Sequence, residues 1–169
     1  MVSESARMSS AAEARFRVQA PNSTPRAIKV VALDVASEPI LRRLAEDSWN
    51  RATFFRIAQD SSGADLSTDS SGGMLTDLSG HVTSVNAEVN AADLVIMVAA
   101  PGGHAHAASL IGQACSLRRV MTTTLIVGDG AAPDEGLSKT LAQVRPWSLM
   151  LVIAGNVDYI KDMMTALRA

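Results

Sequence analysis

Two glycines followed by two histidines form the segment of this chain whose chemistry is easiest to interpret. Pro101, Gly102 and Gly103 end an apolar run, and His104 and His106 open the helical pattern that follows. Glycine lets backbone N–H groups approach a ligand closely, and the start of a helix carries a partial positive charge that favours anions. The spacing therefore predicts a strand, a tight turn and a helix that together bind an anionic group, although a plain tight turn would need the same glycines.

The two histidines allow further chemistry. An imidazole can act as an acid, a base or a phosphate hydrogen-bond donor near neutral pH. Side chains two residues apart point to different sides of a helix, so chelation of a metal would require an extended loop there. Cys115 lies on the apolar face of the following helix, where cysteine behaves as a small hydrophobe. We therefore predict no metal site, and the sequence identifies neither a catalytic residue nor a cofactor. No GxSxG, Walker or HExxH motif occurs, which favours a binding protein over an enzyme.

Polar or glycine-rich segments also follow the other predicted strands. Because the carboxyl ends of parallel strands meet at one edge of a sheet, we expect these segments to converge there. Asp34 could bind Mg²⁺ or accept a ribose hydroxyl, or be a loop residue stabilised by a helix dipole; Asp129 and Asn156 could equally be turn and capping residues. The predicted ligand-binding residues are Asp34, Ser37, Pro101, Gly102, Gly103, His104, His106, Asp129 and Asn156.

The elements that position these residues alternate between strand and helix. Short runs rich in β-branched residues predict strands, and apolar residues at helical spacing predict the helices between them. Ser37 is the expected N-cap of the first helix. A Ser/Gly/Asp-rich loop is expected from Ser61 to Gly80. The alternation predicts an α/β fold with a doubly wound, mostly parallel sheet, a Rossmann-like three-layer α/β/α arrangement. The predicted strands are 28–33, 53–58, 82–85, 94–99, 120–127 and 147–154.

Composition sets the class of protein. The chain has 169 residues, of which 47% are hydrophobic and 19% charged, as in a globular protein. We predict a flexible N-terminal tail over residues 1–27 and a single domain over residues 28–169. A net charge of −2 argues against nucleic acid as a partner, and the apolar runs are too short to cross a membrane. The single cysteine favours a reducing compartment, so we expect a cytoplasmic protein.

The segment from Ala92 to Ala108 resembles the signature of the FtsZ/tubulin family of GTP-binding proteins. In that family a strand with an Ala-Asp start leads into a loop of the form GGGTGTG; here Ala92-Asp93-Leu94-Val95 leads into Gly102-Gly103-His104-Ala105-His106-Ala107-Ala108. The first strand, starting at Ile28, is also similar to that of the family. The resemblance implies a Rossmann-like domain that binds a nucleotide at the glycine loop.

The chain departs from the family at the glycines. His104, His106 and Ala108 replace glycines of the signature loop, and the segment from Asp34 to Pro39 has none where the family has a run. These departures predict that GTP hydrolysis and filament assembly are lost. Two functions follow: a domain that binds a nucleotide or other small anionic ligand at the carboxyl edge of the sheet, or a degenerate module that acts through protein–protein interaction or homo-oligomer assembly.

Overall fold

The computed structural model describes residues 24–58, 73–128 and 134–169. Nearly all of the predicted N-terminal tail therefore lies outside the described residues. Within them the chain forms one seven-stranded sheet with helices packed on both of its faces, so the predicted α/β class is confirmed. The strands are β1 (Ile28–Ala32), β2 (Ala52–Ile57), β3 (Met74–Asp77), β4 (Val82–Ser84), β5 (Leu94–Ala99), β6 (Met121–Val127) and β7 (Met150–Ala154).

The strand order is β4-β3-β2-β1-β5-β6-β7. The five strands from β2 to β7 in this order are parallel, with Val30 level with Phe54 of β2 and Ile96 of β5. β3 and β4 form an antiparallel hairpin added to the β2 side. The expectation of a mostly parallel sheet is thus confirmed. β5 carries no polar side chain and is fully buried, as expected of a central parallel strand covered on both faces.

Helices cover the two faces through separate apolar clusters. One face packs against α2 (Val85–Asn90), α3 (Ala107–Arg118) and the end of α4 (Asp134–Val144). The other packs against α1 (Glu38–Ala45) and α5 (Asp158–Ala166). Each contact follows from residues spaced by three or four positions along a helix, such as Leu41 with Leu44 and Ile160 with Met164. The connections leaving β1 and β5 therefore run to opposite faces of the sheet.

Three local predictions need correction. The predicted loop from Ser61 to Gly80 is wrong in its final part, where Met74–Asp77 forms β3, because Leu75 and Thr76 are buried against the sheet; residues 59–72 lie outside the described part of the chain. Ser37 does occupy the position before α1, but its side chain makes no capping bond. The helix expected from His104 begins at Ala107, since the intervening backbone is held by other contacts.

No helix within the described residues is both long and apolar enough to cross a bilayer.

Candidate functional site: a cleft between the first and fifth strands

A cleft lies at the carboxyl ends of β1 and β5, where the chain leaves the two adjacent strands towards opposite faces. In parallel sheets this is the position at which ligands bind, because the diverging connections leave a crevice between them. The cleft has a volume of about 420 Å³. It is lined by Ala32, Leu33, Asp34, Val35, Ala36, Glu38, Ile57, Gly103, His104 and His106.

The carboxylate of Asp34 joins the two strand ends. Its Oδ1 accepts hydrogen bonds of 2.8 Å from the backbone N–H and from the hydroxyl of Ser37, which is fully buried. Its Oδ2 accepts a hydrogen bond of 2.9 Å from the backbone N–H of Ala100. The side chain therefore begins the 3₁₀ turn Val35–Ser37 that leads into α1, and at the same time holds the loop after β5. Both oxygens have a structural task, as the alternative interpretation of Asp34 expected.

Gly103 is required by its close approach to Asp34. A Cβ atom at this position would lie 2.4 Å from Asp34 Oδ2 and 3.1 Å from the carbonyl oxygen of Ala100. Contacts of that length are not tolerated, so any side chain here would displace the carboxylate or the loop. Gly102 is required for a different reason, since its φ of +81° lies in the left-handed region. The two glycines thus serve the turn itself.

The backbone N–H groups of this turn are used within the protein. The N–H of Gly102 donates to Thr140 Oγ1 at 2.9 Å and to the carbonyl oxygen of Gly136 at 3.1 Å. The N–H of Gly103 donates to Ala100, and that of Ala105 to Gln143 Oε1 at 2.8 Å. An anion consequently finds no donor at the two glycines. Among the described residues, nothing accepts a hydrogen bond from the N–H groups of His104, His106 and Ala107, at the start of α3.

The two histidines form one wall of the cleft. Their rings are stacked, with centroids 6.1 Å apart and an angle of 23° between the planes. Both residues are exposed, whereas Ala105 between them is fully buried and anchors the segment in the core. The prediction that an extended segment precedes the helix thus agrees with the structure, since both side chains reach the same cleft. Within the described ranges, no group of three or more His, Cys, Asp or Glu residues is arranged to hold a metal ion.

Carboxylates form the opposite wall. Glu38, the first residue of α1, is partly buried, and its Oε1 lies 4.0 Å from a guanidinium nitrogen of Arg56 on β2. The distance is long for an ion pair, so Glu38 keeps capacity to accept hydrogen bonds. Val35 and Ala36 form the exposed lip beside it. The cleft is therefore acidic on the β1 side and rich in imidazole and N–H donors on the β5 side.

The structure brings together part of the predicted set. Asp34, Gly103, His104 and His106 line the cleft, with Ser37 bonded to Asp34 beneath it. The remaining predicted residues do not line it. Pro101 packs towards Gly128, Gly102 packs against Gly136, and Asn156 Oδ1 accepts a hydrogen bond from Tyr159 N at the start of α5. Asp129 lies outside the described residues.

Sequence reasoning missed two groups of residues. Glu38 and Ile57 line the cleft although each lies within a regular element, where the emphasis on loops overlooked them. Thr140 and Gln143 of α4 hold the glycine turn from a position distant in the chain. Their i, i+3 spacing on one side of a helix was the available signal, but Leu137 and Leu141 dominated the interpretation of that helix.

Cys115 lies outside the cleft and is buried in the core of α3. Burial raises the pKa of its thiol to about 11, because the thiolate would lose its hydration. The thiol is accordingly a packing group rather than a nucleophile.

Comparison with known proteins adds no relative: no family model matches the chain, and no curated protein matches it either.

Proposed function

We propose that this protein binds a small ligand that carries both an anionic group and hydroxyl groups, such as a nucleoside phosphate, in the cleft between β1 and β5. The observation that carries the proposal is the chemical difference between the two walls of the cleft. One wall offers imidazoles and N–H groups, and the other offers carboxylate oxygens. A purely anionic ligand would use only the first wall.

The anionic group belongs on the histidine side. α3 is twelve residues long and begins at Ala107, so its dipole directs partial positive charge towards the segment from His104 to Ala107. The imidazoles of His104 and His106 add two donors that are positively charged below neutral pH. Phosphate bound here would sit beside the glycine turn rather than inside it, because the N–H groups of Gly102 and Gly103 are already bonded.

The hydroxyl groups belong on the opposite side. Asp34 already accepts three hydrogen bonds, so Glu38 is the carboxylate best able to accept more. In dinucleotide-binding folds an acidic side chain commonly accepts ribose hydroxyls, and Glu38 would do so here. The apolar floor from Leu33 and Ile57 suits a flat ring or a sugar face. Protein pockets for small ligands measure about 300–1,000 Å³, and the cleft lies within this range.

The proposal includes the finer classification of the fold. Numbered along the chain, the five parallel strands follow the order 2-1-3-4-5, one of the common doubly wound orders, which supports a Rossmann-like domain. Distant kinship with the FtsZ/tubulin family is also proposed; the glycine turn after the third parallel strand supports it. We do not propose GTP hydrolysis, because His104 and His106 occupy the loop where that family has glycines.

Thermal denaturation with named probes tests the proposal. AMP, GMP and ribose 5-phosphate should raise the melting temperature in a concentration-dependent way, since a ligand that binds only the folded state stabilises it. Inorganic phosphate should give a smaller gain. In His104→Ala and His106→Ala the gain should fall for every probe. In Glu38→Gln it should fall for the nucleotides and the sugar phosphate, but not for inorganic phosphate.

His81→Ala is the matched control, because His81 is exposed in the turn between β3 and β4 and does not line the cleft. This variant should retain the full response to each probe. The proposal is wrong if no probe changes the melting temperature of the unaltered protein. It is also wrong if His81→Ala reduces the response as much as His104→Ala does.

A further inference from the structure

The two edges of the sheet differ in how they are protected. Within the described residues, β4 and β7 are the outer strands. β4 has only three residues and belongs to a tight hairpin, which is one way in which proteins shield an edge from pairing. β7 has five residues with the sequence MLVIA, and no charged residue occurs between Arg145 and Asp158. The β7 edge therefore has none of the usual protection by charge, proline or shortness.

Apolar side chains are exposed along this edge. Leu149 is 76% exposed and Ile153 is 56% exposed, and both lie on the face of the sheet that α4 covers. Met150 and Met121 are exposed on the other face. An unprotected strand edge flanked by exposed apolar side chains is a site for association with a further strand.

The hydrogen-bonding groups of β7 alternate along the strand. The N–H of Leu149 donates to the carbonyl oxygen of Thr122, so Leu149, Leu151 and Ile153 direct their backbone groups inwards to β6. Met150 and Val152 then direct theirs outwards, because successive residues of a strand alternate. Their outward N–H and C=O groups are the ones available to a new neighbour.

We propose that the protein forms a homodimer in which the β7 strands of two copies pair antiparallel about a two-fold axis at Leu151. In this register Met150 of each copy pairs with Val152 of the other, and these two pairs exchange about four backbone hydrogen bonds. Leu149 of each copy lies opposite Ile153 of the other in a non-hydrogen-bonded pair, where side chains approach most closely. The register thus covers the two most exposed apolar residues of the edge with each other.

Charge also favours a second copy as the partner. Glu135 lies near the start of α4, and Arg145 follows its end. The two-fold axis reverses the second α4, so the acidic start of one helix faces the basic end of the other. A closed two-fold arrangement also uses each edge once, which ends the assembly at two copies. The proposal is independent of the cleft, since none of these residues lines it.

Sedimentation velocity tests the assembly. At concentrations up to about 100 µM, the unaltered protein should sediment with twice the mass of one chain. Ile153→Lys should sediment as one chain, because the two-fold axis brings each new charge onto an apolar partner. Val82→Lys is the matched control, since Val82 is 48% exposed on the opposite edge strand; this variant should remain a dimer. A monomeric unaltered protein, or a dimer that Ile153→Lys retains, would overturn the proposal.

Disulfide trapping tests the register. Leu149→Cys and Ile153→Cys proteins, mixed and oxidised, should form a covalent dimer containing one of each. Either variant alone should not, because equivalent positions of the two copies would be about 13 Å apart, which a disulfide cannot span. The buried thiol of Cys115 should not compete. Efficient linking of a single variant to itself would contradict the register, and linking only to an unrelated added protein would contradict the second copy as the partner.

Discussion

The carboxylate of Asp34 and the backbone N–H of Ala100 are joined by a hydrogen bond of 2.9 Å, which ties the end of β1 to the end of β5. The same carboxylate accepts two hydrogen bonds from Ser37 at the start of α1. One side chain therefore sets the position of both walls of the candidate cleft. Its charge is satisfied by these donors, so its first role is to shape the cleft.

Asp34→Ala should lower the free energy of unfolding by about 1.5–3 kcal/mol, since it removes three hydrogen bonds to a charged acceptor and leaves a buried Ser37 hydroxyl unpaired. Urea denaturation followed by circular dichroism measures the loss. Asp47→Ala is the control: Asp47 pairs with Lys161 on the surface, where such a pair contributes about 0–1 kcal/mol. Equal losses in the two variants would contradict a special role for Asp34.

Gly103→Ala should also destabilise the protein, by about 1–3 kcal/mol, because the added Cβ would overlap the Asp34 carboxylate. Gly155→Ala provides the comparison, since a Cβ at Gly155 meets no atom within 4 Å. This second variant should change the unfolding free energy by less than about 0.5 kcal/mol. If Gly103→Ala proves as stable as Gly155→Ala, the close contact with Asp34 is wrong.

Thr140→Val should cost about 1–2 kcal/mol of stability, because the N–H of Gly102 loses its acceptor on Thr140 while the shape of the side chain is kept. Thr140 is fully buried, so water cannot replace the hydroxyl. Thr165→Val tests the same exchange at an exposed position, where the hydroxyl donates only to the carbonyl oxygen of Lys161 in its own helix. Thermal denaturation should show a clear drop for Thr140→Val and little change for Thr165→Val.

Cys115 should make the folded protein sensitive to alkaline pH. Burial raises the pKa of its thiol from 9.0 to about 11, so the unfolded chain releases this proton at lower pH than the folded chain. The contribution of the thiol to stability is therefore complete below pH 9.0 and is lost as the pH rises towards about 11. Urea denaturation between these pH values should show a decline that Cys115→Ala lacks.

The same burial predicts slow chemical modification of this thiol. Ellman's reagent at neutral pH should react with Cys115 only after the protein is unfolded, because both protonation and burial protect the sulfur. Rapid reaction in the folded state would show that α3 is packed differently.

Much of this fold follows from the sequence by itself, because the signals are local. The apolar run ending at Pro101 predicts β5 and its turn, and the spacing of Leu41 and Leu44 predicts the buried side of α1. Alternation of such segments was enough for an α/β sheet that is mostly parallel. It was also enough to assign the polar turns to one edge, since parallel strands all end on the same side.

Only the tertiary structure decided which of those turns share a cleft. The strand order places Asp34 beside Gly103 but leaves Asn156 two strands beyond β5, about 10 Å away at the usual strand spacing. It also supplied Thr140 to the N–H of Gly102, which made the glycines a structural turn. Strand order and contacts between distant residues depend on how whole elements pack, and local periodicity carries no information about that packing. The sequence therefore determined the elements and their common edge, and the packing decided the site.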